Sequence, residues 1–544
     1  MKAKRIRKLI IILLPFIIAG LIMTPRLLSP HFGLMDDGLM YVEVQKILNG
    51  DLKMSYDLQA GRFRPFYWLY FTLIFYLAGP NPFWFFIGHL ILFLILLVET
   101  RLLMRKMDAK DWQILLTSLV FIFSVPIIEN FYTLSKGDPL SLVFILASIL
   151  FGEKIKGSKT APSHILFAIL TILCGLSGIW AKETAYIMAP ISALWAGYTL
   201  WQRKHLSKRE WRGYLIYFIC IIASMAAFFL IRSLWGAPSI SEGTFTERYS
   251  LTLASILERI PRWFNLFFNY IPHLLPFSLI AVVILISGIK IHINHKFALY
   301  RWGVWVLLWI AVLLPWEYAS AYYLLSISLG GAVLIGLLAP QLVEAINHSR
   351  KTIRWLTRSL AVISVLFFLI SLTHYRTHAY TQLTIDRVNH QMLAFIEDVT
   401  PEHAPVFPVM ETRKEYVEMI EYFLVDYYDR DDIFYSHLSM DILEKMHYRK
   451  NVIVMMPLVS NQPKLLVRMG VEEEYTNKWN EIVLRIQGDR FTPLKKFKGE
   501  FRIFNINLSS SACPLLGERG YCIDPDPLLD TRLFSYGWQI YKLN

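Results

Sequence analysis

Two adjacent carboxylates, Asp36 and Asp37, sit in the run His31-Phe32-Gly33-Leu34-Met35-Asp36-Asp37-Gly38-Leu39-Met40-Tyr41. A third, Asp138, lies in Ser135-Lys136-Gly137-Asp138-Pro139. Carboxylates from two loops can divide base and positioning roles in a proton transfer, or Asp37 and Asp138 can share a divalent cation. Four cations accompany them: Arg62 and Arg64 in Arg62-Phe63-Arg64-Pro65, Lys136 beside Asp138, and Lys182 in Lys182-Glu183. Arginine is suited to two-pronged contacts with phosphate and lysine to a point-charge contact. Each member also has a plainer reading. Asp37 and Asp138 can cap helices, the cations can snorkel to lipid headgroups, and Lys182-Glu183 can be a self-paired turn. The choice turns on whether the elements that carry these residues deliver them to one side.

Those elements are apolar. Of 544 residues, 55% are hydrophobic and 18% charged, with mean hydropathy +0.42. A soluble domain carries about 25% charged residues, so the composition is that of a membrane protein. A span needs about 20 mostly apolar residues. On that rule spans fall near 9–28, 83–104, 113–130, 139–153, 163–181, 184–201, 213–235, 274–291, 302–316, 320–340 and 355–374, about eleven in all. The run Met1–Lys8 followed by Leu9–Ile22 reads as an uncleaved signal anchor. Basic runs at Lys2–Lys8, Arg101–Lys110, Lys154–Lys159, Arg203–Arg212, Lys290–Arg301 and Arg350–Arg358 alternate along these spans, which puts them in the cytoplasm. Asp36, Asp37, Arg62, Arg64, Lys136, Asp138, Lys182 and the 236–272 connection then share the outer face. The net charge of +13 is therefore a topology signal. From Arg376 onward 20 Lys/Arg face 24 Asp/Glu, which argues against a nucleic-acid partner.

The first outer loop, 31–82, is long enough to have structure of its own. Its pattern predicts a helix from Asp37 to Leu48, entered through an acid and stopped by Asn49-Gly50. A second, apolar helix from Phe66 to Ala78 opens at Arg64-Pro65 and lies along the outer surface. The 236–272 segment, aromatic around Trp263 and Tyr270, reads as an interfacial helix or as a flap over a lipid or sugar. Residues 376–544 read as a small extracytoplasmic α/β domain, with strands at Val406–Met410, Asn451–Met456 and Phe501–Leu508 and a helix at Thr412–Tyr428. Cys513 and Cys522, close together in that domain, are candidates for a disulfide, with two free thiols as the alternative.

Taken together, the membrane part, about 1–375, resembles the GT-C superfamily of glycosyltransferases, which includes protein O-mannosyltransferases and the aminoarabinose transferases that act on lipid A. The resemblance rests on the acidic motif in a long first outer loop, the helix opened by Arg64-Pro65 and Asp138 at the outer start of a later span. The aromatic turn Trp316-Glu317-Tyr318-Ala319-Ser320-Ala321-Tyr322-Tyr323 before a late span completes it. The family's first-loop motif is often Asp-Glu with a Tyr three residues beyond the Glu. Asp37 takes the Asp place, Gly38 stands where the family has Glu, and Tyr41 takes the Tyr place; Asp36 is the alternative second carboxylate.

The resemblance implies a sugar donor on a polyprenyl phosphate, an acceptor hydroxyl on a lipid, glycan or protein, and inversion at the anomeric carbon. Asp37 or Asp36 would serve as base. Arg62, Arg64, Lys182 and Lys136 would face the donor phosphate, Asp138 would position the acceptor or a divalent cation, and Tyr41, Glu183, Trp316 and Tyr322 would line the substrate site. A polytopic lipid or glycan transporter or flippase is the rival reading. It predicts inverted repeats and ionisable groups at mid-membrane, whereas these charges cluster at one face.

Overall fold

Apolar runs of this length satisfy their backbone polar groups only by coiling into helices, and the chain does so for most of its length. The computed structural model describes residues 2–34, 37–52, 57–58, 61–158, 160–236, 249–286, 293–317, 319–348, 351–408, 414–430, 432, 452–460, 491–508 and 527–543. Seven of its helices are long and apolar enough to cross a membrane, in the stretches Leu9–Leu28, Pro82–Lys106, Ala161–Ala181, Lys208–Leu234, Lys296–Leu313, Ala321–Asn347 and Lys351–Val399. Two bent pairs raise the number to nine: Asp111–Ile122 with Val125–Phe131, bent by 63°, and Leu253–Tyr270 with Leu274–Ile284, bent by 89°. The chain is thus a mostly helical polytopic membrane protein. The spans expected at 139–153 and 184–201 appear as helices Asp138–Gly157 and Met188–Trp201. The first carries Glu153, Lys154 and Lys156 near its end, and the second is only 14 residues long.

The first loop folds as its residues dictate. Helix α1 (Lys2–Leu28) delivers the chain to it. Helix α2 (Asp37–Leu48) begins at Asp37, and Gly50 reverses the chain beyond it with φ +92°, a conformation that suits glycine. Helix α3 (Pro65–Ala78) starts with proline in its first turn after Arg64. It buries Tyr67, Trp68, Phe71 and Thr72 and leaves Leu69, Leu73, Tyr76 and Leu77 exposed, so it is amphipathic only in exposure, not in composition.

Further along, α4 (Asp138–Gly157) and α5 (Ala161–Ala181) form a closely packed pair. Gly178 of α5 lets Ile145 of α4 approach, and Ser141 Oγ donates to the Gly178 carbonyl. The last helix of the membrane part, α6 (Lys351–Val399), is 49 residues long and continues through 376 without a break.

Onto the far half of α6 packs a four-stranded sheet in the order β1-β2-β4-β3: β1 (Val406–Pro408), β2 (Ile453–Ser460), β3 (Phe491–Arg502) and β4 (Leu533–Leu543). β1 and β2 are parallel, and β4 pairs antiparallel with both β2 and β3. Tyr536 Oη and Trp538 Nε1 of β4 both donate to Asn389 Oδ1 of α6, at 2.7 and 2.9 Å, which locks sheet to helix. The strand predicted at Phe501–Leu508 divides instead into the end of β3 and a two-residue strand, Asn505–Ile506, that pairs with Leu529–Asp530. Helix Lys414–Tyr422 is followed by a π-turn, Phe423–Tyr427. Cys174 and Cys220 are free thiols within helices; Cys513 and Cys522 lie outside the described residues.

Candidate active site

The N-terminus of α4 carries Asp138, and the residue that caps the end of α5 is Lys182. Because these helices pack side by side and antiparallel, the two side chains meet as an ion pair between Lys182 Nζ and Asp138 Oδ2, 14% and 11% exposed. The close approach depends on Gly137, where a Cβ would lie 2.7 Å from the Ala181 carbonyl oxygen.

Lys182 Nζ also lies 5.0 Å from the Tyr322 ring centre and 4.6 Å from that of Tyr323. Lys136 Nζ lies 4.6 Å from the Tyr322 ring. Tyr322 is held in a 3-10 turn, Ala321–Leu324, by Asn130 Nδ2 donating to its carbonyl, and Trp316 stands edge-on to Tyr323 with ring centres 6.2 Å apart. Such rings attract cations through their negative faces while offering no carboxylate to neutralise them. Burial pushes the Lys182 ammonium below the usual lysine range; Asp138 opposes this, and the charges of Arg62 and Arg64 reinforce it. The site is therefore a crowd of cations on an aromatic wall.

Arg64 plays a different part from the one its spacing suggests. Its Nε and Nη2 donate to both oxygens of Asp57, at 3.1 and 2.6 Å, and Trp68 Nε1 donates to Asp57 Oδ2 at 2.6 Å. Two of its donors are thus committed within the loop. Burial disfavours its charge, but Asp57 and then Glu183 more than restore it, so its pKa is raised. Asp57, fully buried, was not among the expected residues: it is one acid in a polar stretch and acquires meaning only through its partners. Arg232 fixes the same loop by donating to the Gly61 carbonyl. Glu183 opens a 3-10 turn after Lys182, and its Oε1 is buried without a hydrogen-bond partner among the described residues.

Asp37 occupies a second centre. It is 1% exposed at the N-terminus of α2, and its Oδ2 accepts the Gly33 N–H at 2.7 Å, closing the loop back on itself. Space at Gly33 is tight: a Cβ would lie 3.2 Å from Asp37 Oδ2 and 3.4 Å from Asp386 Oδ1. Asp386, on α6, is ion-paired at 2.5 Å with Arg26 of α1, and both are fully buried. Neither was predicted, since they stand 360 residues apart and each sits in an otherwise ordinary helix. Tyr41, one turn on, packs edge-on against Phe75 and Tyr427, both at 5.4 Å. It is thus buried among aromatics of α3 and the π-turn. Asp36 lies outside the described residues.

The expected sites accordingly divide into two. Asp138, Lys182, Lys136, Tyr322 and Trp316 come together, with the charges of Arg62 and Arg64 felt at Lys182. Asp37 and Tyr41 belong to the second centre, with Gly33, Phe75 and Tyr427. Among the described residues no three His, Cys, Asp or Glu side chains gather as a metal-ligand set; Asp37 pairs with Gly33 and Asp138 with Lys182. The 236–272 connection is tied to the aromatic turn: Tyr249 bridges to Trp316, and Arg259 donates to the Pro315 carbonyl.

No family model matches the sequence, and no curated protein does. Among solved structures, ArnT from Cupriavidus metallidurans bound to undecaprenyl phosphate is similar with TM-score 0.46 at 12% identity, over 85% of this chain and 95% of that one. The oligosaccharyltransferase from Archaeoglobus fulgidus in the apo form gives 0.48 at 12% identity, over 76% and 64%. The arabinofuranosyltransferase AftD from Mycobacteria gives 0.42 at 11% identity, over 98% and 40%.

Proposed function

We infer that this chain is an integral membrane glycosyltransferase of the GT-C type, moving a sugar from a polyprenyl-phosphate donor to a hydroxyl of a lipid, glycan or protein at the outer face of the plasma membrane. The observation that carries the reading is the convergence of Lys182, Lys136 and Asp138 on Tyr322 and Tyr323, with Arg62 and Arg64 acting on Lys182. An excess of cations against rings is a seat for an anion. The leaving group of such a transfer is a lipid phosphate, whose growing charge needs fixed cations beside it. The acidic first loop supplies the other requirement, a carboxylate.

In the proposed step the acceptor oxygen attacks the anomeric carbon while the bond from that carbon to the phosphate oxygen breaks. The electron pair leaves with the polyprenyl phosphate, and a single displacement inverts the centre. The hydroxyl proton passes to a first-loop carboxylate, Asp37, because a neutral hydroxyl is a poor nucleophile near pH 7. Lys182 and Lys136 neutralise the phosphate, Arg62 adds charge, and Arg64, clamped by Asp57, holds the loop that carries Arg62. Asp138 tethers Lys182 until the donor binds, and Tyr322 and Trp316 flank the sugar or the isoprenoid.

The test is transfer of labelled sugar from purified polyprenyl-phosphate donors by wild type, Asp37→Asn and Asp36→Asn. Wild type should transfer with at least one donor, and Asp37→Asn should lose about 10²–10⁴-fold in turnover. Full activity in both variants would remove the mechanism. Inactivity of the wild type with every donor, combined with lipid flipping in liposomes, would replace it with a transporter.

A further inference from the structure

We propose that Asp386, together with Arg26, is a positioning residue for Asp37, so that the last long helix and the domain built on it hold the first-loop carboxylate in place. The proposal rests on the transferase reading for what Asp37 does, and on the geometry alone for what holds it.

The argument begins with what is buried. Arg26 and Asp386 are both fully excluded from solvent, and their ion pair joins α1 to α6 across almost the whole sequence. Taking two charges out of water costs several kcal/mol for each ion, so such a pair is weak as a source of stability and needs further partners. Asp386 has them: Gln382 Nε2 donates to both of its oxygens at 3.0 Å. Arg26 has fewer. Its Nη2 serves Asp386 and the His31 carbonyl, at 2.5 and 2.9 Å, its guanidinium lies 4.1 Å over the Phe86 ring, and its Nε and Nη1 meet no acceptor among the described residues. A pair kept at that cost and only partly satisfied calls for an explanation beyond packing.

The explanation lies in what the pair grips. Among the described residues, the backbone group that the Arg26 guanidinium holds is the carbonyl of His31, two residues before Gly33. Gly33 in turn donates its N–H to Asp37, and a Cβ added to it would lie 3.2 Å from Asp37 Oδ2 and 3.4 Å from Asp386 Oδ1. The path therefore runs by hydrogen bonds from Asp386 to Arg26 and on to the His31 carbonyl, along two residues of chain to Gly33, and by a hydrogen bond from the Gly33 amide to Asp37. A second set of contacts comes from the same C-terminal region. A Cβ on Gly38 would lie 3.2 Å from the Met419 carbonyl oxygen and from Phe423, and Tyr427 stands against Tyr41. His390, one turn beyond Asp386, stacks on His31 at 4.5 Å. The C-terminal region thus grips α2 at its start and along its flank. Among the described residues Asp386 bonds to Arg26 and Gln382 and to no member of the cationic cluster, so its influence on turnover is expected to pass through Asp37.

The experiment compares Asp386→Asn, Asp386→Glu and, as a control at a distant buried ion pair, Glu153→Gln. Turnover and donor KM are measured per folded molecule, with the folded fraction counted by stoichiometric binding of a polyprenyl phosphate. Backbone hydrogen exchange from Asp37 to Leu48 is followed on the same samples. Misplacing a reacting group by about 1 Å costs about 100-fold. Asp386→Asn should therefore lower turnover by 10- to about 100-fold with donor KM within about twofold. It should also speed exchange in Asp37–Leu48, while Asp386→Glu restores most of both and Glu153→Gln changes neither. Wild-type turnover per folded molecule in Asp386→Asn, or unchanged exchange in Asp37–Leu48, overturns the proposal. If wild type transfers no sugar from any donor, the transferase reading is what fails. Exchange in Asp37–Leu48 of Asp386→Asn then decides by itself whether Asp386 holds the loop.

Discussion

Helix α4 has a buried ionic cluster at each end, and the two are built differently. At its C-terminal end Glu153 accepts from Arg301 at 2.7 Å and from the Tyr214 hydroxyl at 3.0 Å, and is ion-paired with Lys156. Tyr214 Oη in turn accepts from Lys156 and Arg301, at 2.7 and 2.8 Å. The partners lie on three long helices, Arg301 on Ile293–Leu313, Tyr214 on Lys208–Leu234 and Lys156 on α4 itself. At its N-terminal end, about 22 Å from Glu153 at 1.5 Å per residue, Asp138 meets Lys182 beside Lys136 and two tyrosines, with Arg62 and Arg64 acting on Lys182. That set is drawn from separate loops, each held by its own device: Asp57 for Arg64, Asn130 for Tyr322, Arg232 for Gly61. One end is a knot that closes on itself. The other is a set of cations propped in place by groups behind them, the arrangement that the proposed donor-phosphate site calls for.

The sharpest way to break that contrast is at the base. Asp37→Asn should lower turnover by about 10³-fold while leaving thermal stability within about 1 kcal/mol, since the amide can still accept the Gly33 N–H. Glu153→Ala should do the reverse. Removing one partner of a buried pair costs about 3–5 kcal/mol, here because Arg301 is left with its charge uncompensated. Turnover per folded molecule should stay within about twofold of wild type, since Glu153 touches nothing at the loop end. Thermal melts in detergent with a donor-binding count check both, and equal losses of turnover at the two ends would erase the distinction.

A smaller effect sharpens it. Lys182→Met should raise donor KM by about 10- to 100-fold, the value of one or two charge-assisted hydrogen bonds to phosphate. Adding Asp138→Asn removes the carboxylate that Lys182→Met leaves unpaired, so the double variant should regain stability but not donor affinity. Recovery of both would mean that Asp138 and Lys182 are a knot of the Glu153 kind.

How far the sequence carried can be judged at the same two places. The bounds of α2 and α3 were legible to within a residue, because an acid, an Asn-Gly stop and an Arg-Pro start are local signals. That Lys136, Asp138 and Lys182 belong on one face was expected from the alternation of the spans, but their meeting with one another and with Tyr322 was not read from the sequence, where Asp138 was set against the first-loop acids instead. Arg26, Asp57 and Asp386 were not. A lone charge inside a helix or polar loop looks the same whether it faces solvent or a partner hundreds of residues away, and Arg64 was misleading until Asp57 was seen to occupy it. Strand β4 is a different kind of omission. Phe534, Tyr536, Trp538 and Ile540 alternate with Ser535, Gly537 and Gln539, a period-2 signal strong enough to predict the central strand of the sheet.

The weakest predicted effect separates the two ends by pH. His31, half-buried against His390, has its pKa lowered from 6.5 to about 4, first by burial and then by the charges of His390, Arg26 and Arg387. In the folded protein its ring therefore stays neutral down to about pH 4, while the opened loop takes up a proton near 6.5. Between those values the opened state binds more protons, so stability is full above pH 6.5 and falls as the pH drops toward 4. Because His31 is only partly shielded, the loss at pH 5 is of order 1 kcal/mol. His31→Phe, which keeps the stack and the backbone carbonyl held by Arg26, should flatten the decline in melting temperature between pH 7 and about 5. Glu153, Lys156 and Arg301 contain no imidazole, so Glu153→Gln should shift the melting temperature at both pH values and leave the slope as it is. A slope that survives His31→Phe would move the acid sensitivity away from the loop that carries Asp37.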